Sequence, residues 1–432
     1  MQNATATKTL DLTRLIQQLE NEFRSAGYRG KVGKGGGVDN VLLLRLDAVG
    51  DFILSTPAIR AVRENYPNAF ITLVVTKTVY PLAELCPYVN EVLIFDTQFN
   101  HNDIVEIIKR VTDFAKNNLW KRHYRLAFII QYWMTKVNYF LTYFSGAAER
   151  IAYCGADFSA MLMTHRVAFS KKHIHDVTKN LNLLKDFGLK ISTTYTEIWF
   201  DDEDLIAAEN IFANFAKGRL KISVAIGSNS TQPARRYPVE KYLKAFKVLI
   251  DEGAAIVIFG GSAELEGAKF LEENLPAEFV KNFVEVGAGW RVDAAAMSLT
   301  DMYIGNFTGA CDVAATLKLP IIALSPEAED KEFLIAEAFS QYAQYYPWQI
   351  PAIVLRPAHQ LDDCAEKIFY GGCQKNTSHC IAQIEPSEIV RAFDDMIYFI
   401  KYSGIKKINA PPIIKNRDEL PKFGFEFENF LI

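Results

Sequence analysis

The sequence predicts an α/β protein built from two doubly wound domains, each a parallel sheet covered on both faces by helices. Three observations carry this expectation. Short apolar runs alternate with stretches whose apolar residues fall at helical spacing, and a strand that is apolar along its whole length is one buried on both faces. The alternation starts twice, at Val41 and again near Lys221. The chain has 432 residues, which at roughly 150 residues per domain leaves room for two large domains and short additions.

Taken in order, residues 10–26 set Leu10, Leu12, Leu15, Ile16, Leu19 and Phe23 at helical spacing and predict an amphipathic helix. Gly30, Gly33 and the Gly35-Gly36-Gly37 run follow, with Lys31 and Lys34 between them. This stretch lacks the spacing of a phosphate loop and the hydroxyl residue after the lysine, and no strand precedes it, so it reads as a linker. The first α/β unit then has strands at 41–46, 71–75, 91–95 and 126–130, and helices at 53–66, 79–86, 104–117 and 174–187. Gly188 stops the last of these as a helix C-cap. A helix over 201–216 joins the two units. The second unit has strands at 222–226, 255–259, 283–286, 302–304 and 321–324, with helices at 239–252, 263–273, 292–299 and 310–317. The expected division is an N-terminal helix and linker (1–37), a first domain (38–200), a connecting helix (201–218), a second domain (219–400) and a tail (401–432). In open sheets of this kind ligands bind outside the carboxyl ends of the strands, so the cleft between the domains is the expected site.

Composition narrows the function. Half the residues are apolar, which excludes wholesale disorder. Lys plus Arg is 47 against 51 Asp plus Glu, a net charge of −4 that argues against a nucleic-acid partner held by bulk charge. Cys86, Cys154 and Cys311 stand singly in apolar stretches and read as reduced core residues. The polar, Gly-rich start carries no export signal, so the cytoplasm is the expected compartment. The apolar stretch at 126–144 is broken by Gln131, Lys136 and Asn138 and is not expected to span a membrane.

Three constellations carry chemistry. Arg45, Asp47, Gly50 and Asp51 lie where the first strand passes into the first helix. Gly50 permits a tight turn and Asp51 falls at the helix start, where it can cap the helix or act as a general base. Gly305, Asn306, Thr308 and Gly309 follow a strand and open a helix, where free backbone N–H groups and the helix dipole suit a phosphate. The loop from Gly227 and Ser228 to Arg235, Arg236, Tyr237 and Pro238 ends in two arginines, whose planar forks match phosphate oxygens. Gly260, Gly261 and Glu264 follow the next strand, where the glutamate suits a ribose hydroxyl or a helix start.

These motifs, in this order and at these spacings over roughly 41–391, resemble those of the ADP-heptose lipopolysaccharide heptosyltransferases, glycosyltransferase family 9. The resemblance implies a GT-B fold: two Rossmann-like domains facing a central cleft, the acceptor bound by the N-terminal one and the nucleotide sugar by the C-terminal one. It implies an inverting transfer of a heptose or related sugar to a hydroxyl of a lipopolysaccharide-core or other cell-surface glycan. No metal or other cofactor is implied beyond the donor, expected to be ADP-linked. By resemblance Asp51 is the catalytic base. Thr308 and Gly309 contact the diphosphate, with Arg235 nearby and Glu264 at the ribose. Ser228 and Arg45 complete the expected donor set. The implied setting is the cytoplasm, with peripheral association at the inner face of the cytoplasmic membrane left open.

Two positions depart from the family pattern. Phe307 stands where the family has Asp, and Asp312 where it has His. These changes remove a carboxylate and an imidazole from the expected donor pocket and keep open a catalytically silent binding or scaffold protein. Cys364, Cys373, His379 and Cys380 precede the last helix without the paired spacing of a zinc site. Some relatives carry a cysteine-rich segment here, which keeps open a protein O-heptosyltransferase. A dinucleotide oxidoreductase is disfavoured, because neither unit has Gly-x-Gly-x-x-Gly after its first strand.

Overall fold

The computed structural model describes residues 17, 21, 39–155, 159–170, 174–227, 232–329, 341–362, 373 and 375–403. The expected linker, the tail beyond Ser403, nearly all of the first helix, Ser228 and Cys364 lie outside the described residues.

The first domain runs β1 (Asn40–Arg45), α1 (Val49–Ile53), α2 (Thr56–Asn65), β2 (Phe70–Val75), α3 (Tyr80–Ala83), β3 (Glu91–Ile94), α4 (Ile104–Phe114), β4 (Leu126–Ile129), α5 (Lys136–Phe144), β5 (Glu149–Tyr153), α6 (Ser159–Leu162), β6 (His165–Val167) and α7 (Asp176–Asp186). After α8 (Asp202–Phe212), the second runs β7 (Leu220–Ala225), α9 (Val239–Asp251), β8 (Ala254–Phe259), α10 (Leu265–Asn274), β9 (Val280–Asn282), α11 (Phe283–Val286), α12 (Trp290–Ser298), β10 (Met302–Asn306), α13 (Gly309–Thr316), β11 (Ile321–Leu324), α14 (Gln341–Tyr345), β12 (Ala352–Leu355) and α15 (Pro386–Ser403).

Among the described residues each domain has a six-stranded sheet, ordered β3-β2-β1-β4-β5-β6 and β12-β11-β10-β7-β8-β9. Every strand pair is parallel. The two orders are the same, and each reverses direction between its first and fourth strands. That reversal opens a crevice at the carboxyl ends of β1 and β4, and of β7 and β10. The motifs after β1, β7 and β10 therefore all open at crevices.

Some elements differ from expectation, each for a local reason. The helix expected at 53–66 is two, α1 and α2, because Ser55 and Pro57 interrupt it and Pro57 opens the second. Residues 283–286, apolar enough for a strand, form the short helix α11, because the Asn282 side chain accepts from Glu285 N–H and Gly287 takes a left-handed backbone (φ 62°) at its end. Strands β5, β6 and β12 were not anticipated. β5 and β6 mix charged and apolar residues, as suits strands toward a sheet edge, whereas β12 is a four-residue apolar run.

The domains share one core. A single apolar cluster runs from Val41 and Leu43 through Trp199 to Tyr303, Phe307 and Ala323. A strap at 193–200 fastens it. Arg60 of α2 donates to Glu197 at 2.7 Å and to the Tyr195 carbonyl at 2.9 Å. Tyr88 donates to the other Glu197 oxygen at 2.9 Å, and Thr196 and Thr316 share a hydroxyl hydrogen bond of 2.7 Å between the domains. After α14 the chain returns to the first domain, where Trp348 stacks on His175 with centroids 4.3 Å apart and donates to the Thr194 carbonyl. Among the described residues no helix is long and apolar enough to cross a membrane.

The Arg60–Glu197 pair is buried on both sides, with side chains 4% and 4% exposed. Removing one partner of such a pair leaves a buried charge uncompensated, typically costing about 3–5 kcal/mol. Arg60→Ala should lose stability on that scale in denaturant unfolding, and a loss under about 1 kcal/mol would assign the strap's hold to its apolar contacts.

Candidate active site

The two crevices meet at glycine. A Cβ on Gly50, at the start of α1, would press on the Asp312 carboxylate and come within 2.9 Å of the Gly309 Cα. A Cβ on Gly309, at the start of α13, would lie 3.0 Å from the Gly50 nitrogen. The N-termini of two helices from different domains thus touch, backbone to backbone. Beside this contact opens a cleft of about 840 Å³, lined from the first domain by Asp47 to Gly50 and Thr76, and from the second by Gly227, Phe259 to Glu264, Trp290, Asp293, Thr308 and Gly309.

Arg45 organises the first-domain side. It ends β1, is 1% exposed, and lies beneath the turn. Its guanidinium reaches Asp47 at 2.9 Å, Asp176 at 3.2 Å and Asp51 at 3.8 Å. It also donates to the Ile130 carbonyl at the end of β4 and to Asn180 at 3.2 Å. Burial alone would lower its pKa, but the carboxylates of Asp47, Asp176 and Asp51 more than reverse this, so Arg45 is a permanent cation. The resemblance put Arg45 in the donor set. Its fork is instead committed to protein groups, so it reaches the cleft only through the carboxylates it holds.

Asp51 sits in the first turn of α1 with its side chain 24% exposed. Burial raises its pKa, Arg45 opposes this, Asp176 adds to it, and hydrogen bonds from Ala48 N–H and the Tyr345 hydroxyl favour the ionised form. The net shift is upward, toward the range of a working general base. Asp312 is buried at the Gly50 contact, and burial with the nearby Asp51 and Asp176 raises its pKa well above the carboxylate range. Lys179, 1% exposed, sets its ammonium 4.4 Å from the centre of the Tyr132 ring. Burial brings its pKa down to about 8, opposed by Asp176 and Asp51.

On the second-domain side, Thr308 is the N-cap of α13 in extended conformation, and its side chain makes no cap hydrogen bond. The turn before it is fixed by Asn306, which accepts from Tyr242 at 2.7 Å and donates to the Arg235 carbonyl at 3.3 Å. Glu264 accepts from Gly261 N–H at 2.9 Å and pairs with Arg236 at 3.3 Å. It lies so close beneath Gly227 that no Cβ fits there. Arg236 is thus the ion partner of Glu264, while the Arg235 guanidinium donates to Gln232 at 2.6 Å and, like Asp51 and Arg45, lies outside the cleft lining. Phe307 is buried in the apolar cluster shared by both domains.

Of the residues the sequence singles out, Thr308, Gly309 and Glu264 line the cleft, while Asp51 and Arg45 lie outside its lining on the first-domain side. The sequence reading missed Asp176, Lys179, Asn180 and Tyr345. A signal existed for the first three, which set polar groups at helical spacing on a stretch otherwise facing the core through Val177, Leu181 and Leu184. Tyr345 carried none, because only the chain's return to the first domain brings it to Asp51. Near the last helix, the Cys373 and Cys380 sulfurs lie 3.5 and 3.4 Å from the His379 Nδ1. Among the described residues no group of three or more His, Cys, Asp or Glu could hold a metal ion.

The model of glycosyltransferase family 9 (heptosyltransferase) matches residues 139–333, from α5 to just past β11. Lipopolysaccharide heptosyltransferase 2 of Escherichia coli is 23% identical over 300 residues, covering 67% of this chain and 84% of that protein. Among solved structures, the glycosyl transferase family 9 protein of Veillonella parvula superposes with a TM-score of 0.68 at 21% identity, over 84% of this chain and 98% of that one. The E. coli ADP-heptose lps heptosyltransferase II does so with a TM-score of 0.61 at 19% identity, over 84% and 99%. The paired sheets and facing crevices are those of the GT-B fold of these structures, and residues 139–333 are similar in sequence to glycosyltransferase family 9, the heptosyltransferase family.

Proposed function

We propose that the chain transfers a heptose or related sugar from a nucleotide-sugar donor, ADP-linked, to a hydroxyl of a lipopolysaccharide-core or related cell-surface glycan, with inversion and without a metal or other cofactor. The observation that carries the reading is the meeting of the α1 and α13 starts, with an elevated carboxylate on one side and a helix N-terminus beside a cleft on the other. The relatives add weight, since their names state lipopolysaccharide and ADP-heptose as their substrates.

The chemistry follows from charge. As the bond to the anomeric carbon breaks, negative charge grows on the leaving diphosphate. The Thr308 hydroxyl and the free N–H groups opening α13 oppose that charge, which is electrostatic stabilisation of the transition state. Asp51 takes the proton of the acceptor hydroxyl as it attacks the opposite face of the sugar. Arg45 holds this carboxylate ionised and oriented, and Tyr345 covers it from the second domain. Exclusion of water by the closed domains sends the sugar to the acceptor rather than to hydrolysis. The acceptor meets the enzyme at the cytoplasmic face of the membrane, through peripheral contact.

A second reading, a silent binding protein that keeps the shell, draws on the burial of Phe307 and on the Asp312 carboxylate at the domain contact. Release of nucleotide from a panel of nucleotide sugars in the presence of glycan acceptor counts against it.

Asp51→Asn should lower turnover by about a hundredfold or more while leaving nucleotide binding intact, the scale of a lost general base; transfer near the wild-type rate would remove Asp51 from the mechanism. The rate should also rise with pH as Asp51 loses its proton, with an inflection above the ordinary carboxylate value of about 3.9. A pH profile flat down to pH 4 would assign the base to another group.

A further inference from the structure

Between β11 and β12 the second domain lays residues 342–349 across the first. Gln344 accepts from the Trp133 indole N–H at 3.3 Å. The Tyr346 carbonyl accepts from the His175 ring at 2.8 Å. Trp348 stacks on His175 and donates to the Thr194 carbonyl, and Gln349 donates to the Thr194 hydroxyl at 2.7 Å. These contacts hold the crossing from both sides of Tyr345.

Tyr345 is the one residue of the crossing that meets the candidate base. It packs half-buried against the apolar cluster shared by the domains, and its hydroxyl donates to Asp51. Burial, with Asp51 and Asp176 close by, pushes that hydroxyl well above the ordinary tyrosine range, so it keeps its proton and acts as a donor. A general base has to offer a lone pair to the O–H group it deprotonates. Here an O–H group already takes that position, and it belongs to the protein. The arrangement also accounts for Asp51 lying outside the cleft lining while Gly50 beside it lines the cleft.

We propose that the Tyr345 hydroxyl holds the place of the acceptor hydroxyl on Asp51, denying the base to water until the acceptor arrives and displaces it. The proposal rests on the transferase reading above and on Asp51 as its base. An ionised carboxylate beside an activated sugar serves water as readily as an alcohol. In that side reaction the water oxygen bonds the anomeric carbon and Asp51 takes the water proton. The bond to the diphosphate breaks with its electron pair leaving on ADP, and the sugar is lost. Tyrosine suits the post because it offers the same O–H group on a stiff ring, and the crossing is held by contacts at the molecule's edge that leave both sheets intact when it shifts.

Release of ADP from ADP-heptose with no acceptor present tests this. It is measured for the full chain, for Tyr345→Phe and Tyr345→Met, which keep an apolar cover and remove the hydroxyl, and for Tyr345→Phe combined with Asp51→Asn. Melting curves establish which variants fold, and calorimetric titration with ADP establishes that the donor site is intact. Each single variant that folds should release ADP at least about tenfold faster than the wild type, within the scale of general-base catalysis, and the double variant should lose that gain. A merely structural role would slow release instead. Release within about threefold of the wild type, or slower, in variants that bind ADP normally overturns the place-holding role and leaves the transferase reading standing. A gain that survives Asp51→Asn also overturns it, because the water is then activated elsewhere. A wild type that neither binds ADP nor releases it from ADP-heptose overturns both.

Discussion

The two domains meet where two backbones have no side chains to keep them apart. Gly50 and Gly309 open helices in different domains, each at the crevice of its own sheet, and their contact leaves no room for a Cβ on either. Because parallel strands all end on the same side, every residue following β1, β7, β8 and β10 is delivered to this plane. The shared apolar cluster and the strap at 193–200 hold the plane closed.

What the contact brings together would repel if left alone. Asp47, Asp51, Asp176 and Asp312 converge where water is scarce, and each added negative charge makes the next harder to ionise. Arg45 makes the arrangement tenable by touching three of the four. Arginine suits the task because its charge persists when buried and its fork serves several acceptors at once. Asp312, which Arg45 does not reach in this way, has its carboxyl pushed well above the ordinary range by burial, and burial does the same to Asp47 despite Arg45.

The family pattern changes at two positions, and the fold handles them differently. Phe307 is absorbed by the core, so the aromatic ring contributes packing where the pattern has a carboxylate. Asp312 remains at the domain contact, facing Gly50. Under the proposed function, donor recognition relies on groups other than these two.

The two α/β units, the glycines that open each crevice and the order of motifs around the cleft are legible in the residues alone, because apolar periodicity and turn chemistry are local and repeat along the chain. The sequence was least informative where strands lie toward a sheet edge and mix charged with apolar residues, as β5 and β6 do. Tertiary structure alone decided which charges meet. Nothing local distinguishes Arg235 from Arg236, yet only Arg236 pairs with Glu264. Nothing local joins Asp51 to Asp176 or Tyr345, which lie far apart along the chain and meet only once both sheets have formed and packed. Electrostatic partners are set by distance in space, and that distance is fixed by the packing of the two domains rather than by any spacing a sequence displays.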